Sequence, residues 1–91
     1  MKLLVLTNWL SKLSSFHAIV YRRLIDDLIA ARKAANLTQA ELGQLIGRRQ
    51  TFVSKVELGE RRLDVAEFIK MSRAVGIDPY QLMREAELEQ D

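Results

Sequence analysis

The chain has 91 residues, of which 48% are hydrophobic and 29% charged, and its formal net charge is +2. This length and composition predict one compact domain and exclude a disordered tail. The sequence contains no cysteine, and His17 is its single histidine. Disulfides, zinc fingers, thiol nucleophiles and histidine metal clusters are therefore excluded, and we expect no cofactor or metal.

Residues 1–15 are predicted to form an N-terminal extension to a domain that occupies residues 16–91. The extension has apolar residues at helical spacing, which are Leu6, Trp9 or Leu10, Leu13 and Phe16. Three interpretations remain open: a segment packed on its own domain, a dimerisation arm, or a flexible tail produced by a misplaced start codon. A signal peptide is not expected, because Asn8 interrupts the apolar run and no small-residue cleavage site follows. No stretch is long enough to span a bilayer, so we predict a cytoplasmic protein that does not enter a membrane.

Apolar periodicity predicts a first helix from about Phe16 to Ala35, closed by Asn36 in the left-handed conformation. A helix-start pattern then recurs three times, in the segments LTQAEL, LDVAEF and IDPYQL. In each segment an apolar residue precedes a capping residue, and Glu or Gln follows the cap three positions later. The caps are Thr38, Asp64 and Asp78, and their partners are Glu41, Glu67 and Gln81. Such capping boxes satisfy amide groups that a helix start otherwise leaves unpaired.

These starts, together with the glycines that follow the apolar stretches, predict an all-α domain of five helices. After the first helix, the predicted spans are Thr38 to Gly47, about Arg49 to Glu57, Asp64 to about Val75, and Asp78 to about Glu87. The second and third helices are joined by a tight turn around Gly47, which is the arrangement of a helix-turn-helix unit.

The segment from Arg48 to Arg62, RRQTFVSKVELGERR, carries five basic and two acidic residues in fifteen positions. It contrasts with residues 63–91, whose net charge is −4. This asymmetry indicates a polyanionic partner, although a charged run can also be an ordinary solvated face. At 100° per residue, Val53 and Val56 face inward and Phe52 falls between the two faces. The outward residues are Gln50, Thr51, Ser54 and Lys55.

The outward residue types match the edges of DNA bases. Glutamine can bind adenine, lysine can donate to guanine, and serine or threonine can serve either way. Arg48 and Arg49 lie at the helix start, where phosphate is favoured. Arg61 and Arg62 follow the helix and are expected to hold the DNA backbone on the other side. The sequence therefore predicts a base-reading face between two separate groups of phosphate contacts on double-stranded DNA.

Two segments, LTQAELGQLIG and QTFVSKVELGERRLDV, resemble the Xre/Cro-type helix-turn-helix family of bacterial and phage regulators, and the resemblance extends over about Tyr21 to Met83. It implies a repressor-like five-helix fold whose third helix enters the major groove. The implied base-reading residues are Gln50, Thr51 and Lys55, with Arg49 and Ser54 nearby. The implied phosphate contacts are Gln39 at the start of the second helix and Arg61 and Arg62 in the loop after the third.

Two residues depart from the family pattern. Arg48 stands where a capping residue is usual, so the third helix start is less well held or Arg48 is recruited for phosphate. Leu58 stands where a polar residue is common and is expected to serve packing. The resulting hypothesis is a sequence-specific regulator, a repressor that binds a palindromic operator as a homodimer. The alternative is an antitoxin that binds its own promoter and a toxin partner, which the acidic end REAELEQD could contact. An enzyme is not expected, because no pair of titratable groups is placed for acid–base work.

Overall fold

In the computed structural model, which describes residues 2–88 and the side chains of residues 17–88, the chain forms five α-helices and no strand. They are α1 (Lys2–Ala34), α2 (Gln39–Ile46), α3 (Gln50–Leu58), α4 (Val65–Ala74) and α5 (Pro79–Leu88). The predicted all-α, five-helix fold is confirmed.

The first helix is longer than the periodicity predicted. It begins at Lys2 rather than near Phe16 and runs for 33 residues, and the reason is that no glycine or proline separates the extension from the domain. At 1.5 Å per residue such a helix is about 50 Å long, which accounts for the longest dimension of the molecule, 53 Å against 23 and 19 Å. The side chains from Leu6 to Phe16 that suggested a dimerisation arm lie outside the described side chains. At its other end, α1 closes as predicted, with Asn36 in the left-handed region at φ 58°.

Two of the three predicted capping boxes are closed. The Thr38 hydroxyl accepts from the Glu41 amide at 3.0 Å, and the Glu41 carboxylate accepts from the Thr38 amide at 2.8 Å. Asp64 and Glu67 form the same reciprocal pair at the start of α4. Each box satisfies two amide groups that have no partner within the helix.

The third box is not closed, and the prediction for Gln81 is wrong. Asp78 caps α5 through the Tyr80 amide, at 2.9 Å. The Gln81 side chain instead donates to the Glu85 carboxylate one turn further along, at 3.3 Å, because a charged acceptor four residues away is available on the helix surface. Pro79 occupies the first helical position, as predicted, where its missing amide proton costs nothing.

One core joins all five helices. Its fully or nearly fully buried members come from every helix and are Ile25, Leu28, Leu42, Ile46, Val53, Val56, Phe68, Met71, Val75, Leu82 and Ala86. The apolar residue before each predicted cap packs against this core, and these residues are Leu37, Leu63 and Ile77. The core therefore fixes α3 to the rest of the domain through two valines on one of its faces.

A close approach between α2 and the following turn sets the helix-turn-helix geometry. The Arg48 amide donates to the Gly43 carbonyl at 2.8 Å, and a Cβ atom on Gly43 would lie 2.7 Å from the Arg48 carbonyl oxygen. A side chain at position 43 would therefore displace the turn. Gly47 ends α2 in the left-handed region, at φ 70°, a conformation that glycine adopts without steric cost.

Two expectations about the ends of α3 need correction. The cap position belongs to Arg49, not Arg48, and Arg49 makes no side-chain capping bond. The helix start is therefore held by its backbone and by the α2 turn rather than by a polar cap. Leu58, which was expected to serve packing, is 68% exposed, because it lies on the last turn of α3, outside the stripe formed by Val53 and Val56.

Candidate nucleic-acid interface

The third helix has one buried and one exposed face, as its sequence predicts. Val53 and Val56 are 0% and 1% exposed, and this burial fixes the rotation of the helix about its axis. Gln50, Thr51 and Lys55 are exposed and Ser54 is partly so. The structure therefore brings the four predicted base-reading side chains to one accessible surface. Their proposed roles toward bases remain predictions.

This surface has side chains that nothing else in the domain uses. Within the described part of the chain, Arg49, Gln50, Thr51 and Lys55 form no side-chain hydrogen bond or ion pair, and Arg49 is exposed at the helix start. Their donors and acceptors are exposed to solvent and remain available to a partner. An amide, a hydroxyl and an ammonium group together offer both donors and acceptors to base edges.

A buried ion pair holds the C-terminal half of α3 against α1. Glu57 accepts from Arg32, with Nε at 2.7 Å and an Nη atom at 2.9 Å, and both side chains are 10% exposed. Arg32 also donates to the Leu37 carbonyl at 2.9 Å. Sequence reasoning missed Arg32 itself, although an arginine one turn after Leu28 on the buried stripe of α1 is a signal for a buried partner.

Gln39, a predicted phosphate contact, belongs to the same network. Its Nε2 atom donates to the Glu57 carboxylate at 2.9 Å, and the side chain is partly exposed at the first position of α2. One N–H of the amide group remains for another acceptor. The start of α2 is thus tied to α3 through Glu57, which positions Gln39 beside the exposed face.

The sequence predicted two separate groups of arginines, one before and one after α3. The structure instead brings one arginine from each group, Arg48 and Arg61, to the same carboxylate. Arg48 donates to Glu67 Oε2 at 3.0 Å, and Arg61 donates to both carboxylate oxygens of Glu67 at 2.8 Å. Arg61 also contacts the carbonyl of Arg62. Both guanidinium groups lie against the Phe52 ring, 4.4 Å from its centroid for Arg48 and 5.0 Å for Arg61. The loop after α3 turns back along the helix, so that two arginines 13 positions apart in sequence meet at one carboxylate.

This cluster is electrostatically well matched. The Arg61 guanidinium and the Asp64 amide both donate to Glu67 and lower the pKa of its carboxyl group to about 2. The same hydrogen bond to Glu67 raises the pKa of Arg61. Glu67 is therefore ionised at neutral pH. Its carboxylate can accept hydrogen bonds from the cap of α4 and from two arginines at the same time. Sequence reasoning assigned Glu67 only to the cap.

Arg62 has a different support from Arg61. Its guanidinium group lies over the Tyr21 ring, 4.6 Å from the centroid, and the Tyr21 hydroxyl accepts from the Leu63 amide at 3.0 Å. Arg22 donates to the Glu57 carbonyl at 3.4 Å. The helix α1 therefore fixes the loop that carries Arg62.

Two further features of the described residues bear on function. Among residues whose side chains are described, no group of three or more His, Asp or Glu side chains could hold a metal ion. No helix in the described range is long and apolar enough to cross a membrane.

The geometry agrees with similarities to known proteins. The sequence profile of a family described as Helix-turn-helix matches residues 28–82. Among solved structures, the chain is similar to an XRE-family like protein from Pseudomonas syringae pv. tomato str. DC3000, with 46% sequence identity and a TM-score of 0.80. The similarity covers 86% of this chain and 95% of that chain. No curated protein sequence matches the chain.

Proposed function

Because the chain belongs to the Xre/Cro-type helix-turn-helix family of DNA-binding transcriptional regulators, we propose that it is a sequence-specific repressor that binds a palindromic operator as a homodimer. The observation that carries the proposal is the accessible face of α3, whose polar side chains form no bond within the described domain. Arginines held in place by other residues border this face. Fixed cations beside free base-matching groups are what a DNA reader needs.

In this proposal α3 lies in the major groove. Gln50 and Thr51, on its first turn, and Lys55, one turn later, contact base edges. Ser54 supports them from the same face. Phosphate contacts come from Gln39 at the start of α2, Arg48 and Arg49 before α3, and Arg61 and Arg62 after it. The positive segment from Arg48 to Arg62 thereby acquires a partner of opposite charge, since double-stranded DNA is a dense polyanion.

A homodimer would place two copies of α3 in successive turns of the major groove. Half-sites of such dimers lie about 34–36 Å apart on one side of the duplex. We propose that the N-terminal part of α1, residues 2–15, is the dimerisation arm. Two observations support this role: α1 continues without a break to Lys2, and the sequence of residues 2–15 carries apolar residues at helical spacing. The protein would act in the cytoplasm as a binding protein and not as an enzyme.

The second candidate function, an antitoxin, is favoured by the surface of α5. This helix exposes Tyr80 by 57% and Leu88 by 64% next to the acidic residues Glu85 and Glu87. An apolar and acidic surface could bind a basic toxin. A toxin reading frame beside the gene, and a stable complex of the two products, would favour this candidate over a stand-alone repressor.

The proposed function is tested by selecting bound duplexes from a random DNA pool with the purified protein. The expected result is a two-fold symmetric consensus whose half-sites are one helical turn apart. A symmetric consensus supports both sequence-specific binding and a dimer. Recovery of unrelated sequences, each bound with the same affinity, would contradict sequence-specific recognition.

A further inference from the structure

Arg48 and Arg61, which the proposed function treats as separate phosphate contacts, form one unit with Glu67. Arg48 Nη2 and Arg61 Nη2 donate to the same oxygen, Glu67 Oε2, at 3.0 and 2.8 Å. The two nitrogens are therefore no farther apart than two hydrogen-bond lengths. Guanidinium groups at this separation repel one another, and the carboxylate between them offsets the repulsion. The unit retains one net positive charge.

The two arginines of this unit are more exposed to solvent than the glutamate. The side chains of Arg48 and Arg61 are 45% and 39% exposed, whereas that of Glu67 is 14% exposed. An anion that approaches from solvent therefore meets the arginines before it meets the carboxylate. Each guanidinium carries five N–H donors, and the bonds to Glu67 use only some of them, so both arginines keep donors for a further acceptor.

The surroundings of the unit place it beside α3. The Phe52 ring, which lies between the buried and exposed faces of α3, supports both guanidinium groups. A small cleft beside the unit is lined by Ile46, Arg48, Phe52, Glu67, Lys70 and Met71, with Lys70 on the next turn of α4. Arg48 and Lys70 thus line the same small cleft as Glu67, and Arg61 contacts this carboxylate as well.

We propose that Glu67 is a positioning residue for DNA binding, which holds Arg48 and Arg61 as a pair that binds one backbone phosphate beside α3. This inference rests on the proposed function. Ordering a long side chain at an interface is costly, and an arginine that is already ordered avoids that cost on binding. Two arginines on one phosphate also fix the register of α3 on the duplex, which a single mobile cation does not.

The first test compares two variants that remove the same charge. Glu67→Gln removes the carboxylate from the arginine pair but keeps an oxygen that can cap α4. Glu60→Gln is the matched control, because Glu60 is exposed and forms no side-chain bond to another described residue. Each variant gains one unit of positive charge, which alone should favour DNA binding. Dissociation constants are measured for one operator duplex and one scrambled duplex at several salt concentrations.

We expect Glu67→Gln to bind both duplexes about three- to tenfold more weakly than the wild type at elevated salt, where general charge attraction is screened. Glu60→Gln should bind at least as tightly as the wild type. A Glu67→Gln protein that binds as tightly as Glu60→Gln would overturn the positioning role while leaving the proposed function intact. A wild-type protein that binds no duplex would overturn the proposed function itself.

The second test asks whether the arginines share a phosphate and whether Glu67 acts through them. The slope of log K against log salt counts neutralised phosphates. The double variant Arg48→Ala/Arg61→Ala should therefore lower the slope by about one unit, whereas independent contacts would lower it by about two. In that double variant, Glu67→Gln should cause no further loss of affinity. A loss that persists there, or a drop in the wild-type background that matches a loss of folded protein by circular dichroism, would show that Glu67 serves only the fold.

Discussion

The buried ion pair between α1 and α3 should be the most sensitive point of the fold that lies outside the apolar core. Glu57→Ala would remove an acceptor of two bonds from Arg32 and one from Gln39, with lengths of 2.7, 2.9 and 2.9 Å. Arg32 is 8% exposed, so its guanidinium would be left in the interior without a counter-ion. Breaking a buried pair in this way costs about 3–5 kcal/mol. A small domain has a total stability of only about 5–15 kcal/mol.

An exposed ion pair on α1 provides the control for the buried pair. Arg22 and Asp26 form an ion pair of the same length, 2.7 Å, but their side chains are 44% and 58% exposed. Asp26→Ala should therefore cost only about 0.3–0.5 kcal/mol. The two pairs have the same N–O distance, so the larger loss expected for Glu57→Ala reflects the burial of its pair and the additional bond to Gln39.

Urea unfolding followed by circular dichroism, at neutral pH and one fixed protein concentration, measures both losses. For Glu57→Ala we expect the free energy of unfolding in urea to fall by about 3–5 kcal/mol. A thermal melt should show a melting temperature lower by about 12 °C or more, at about 4–8 °C per kcal/mol for a domain of this size. Replacing both partners, as Arg32→Met with Glu57→Leu, should recover most of the loss because no unpaired charge remains. A loss below about 1 kcal/mol for Glu57→Ala would refute the assignment of a buried, desolvated pair.

Three other predictions concern DNA, assembly and acid. Gln50→Ala should weaken binding to the operator by about 1–3 kcal/mol and change binding to random DNA little. Arg62→Ala should weaken binding to both duplexes alike and reduce the slope of log K against log salt by about one unit. Both variants are titrated at several salt concentrations, and equal losses on the two duplexes for Gln50→Ala would contradict base reading. Deleting residues 1–15 should shift the mass measured by light scattering toward the monomer and weaken operator binding; an unchanged mass and affinity would eliminate the arm. Glu67 has a folded pKa of about 2 against an ordinary value of 4.5, so its contribution to stability is complete above about pH 4.5 and is lost as the pH falls toward 2. Acid unfolding of Glu67→Gln should accordingly be less steep in that range, and identical acid titrations of the two proteins would count against the ionised carboxylate.

Local sequence signals predicted several of the helix ends, because the interactions that form those ends are local. The capping boxes at Thr38 and Asp64 depend on residues three positions apart, and the left-handed closure at Asn36 depends on one residue. The faces of α3 followed in the same way from helical periodicity. These features need no knowledge of how the helices pack.

The convergence of Arg48 and Arg61 could not be predicted in that way. It depends on the path of the loop after Gly59, which carries Arg61 back to Glu67, and on a contact between residues 19 positions apart. The partner of Glu57 was equally hidden, because Arg32 lies 25 positions away on another helix. Charge patterns name the candidates for a site, but only the packing of helices decides which charges meet.

In α3, the residues that hold the helix in the fold differ from the residues on its exposed face, and this difference bears on how DNA specificity could change. Val53, Val56 and Glu57 hold the helix in place, whereas Gln50 and Lys55 have no side-chain bonds within the described domain. Exchanging the second group for other polar residues therefore removes no bond that the fold relies on. Evolution or protein design could therefore redirect the protein to a new operator through a few substitutions on this face, with almost no change in the free energy of unfolding. The residues that are proposed to read bases are therefore not the residues that maintain the fold.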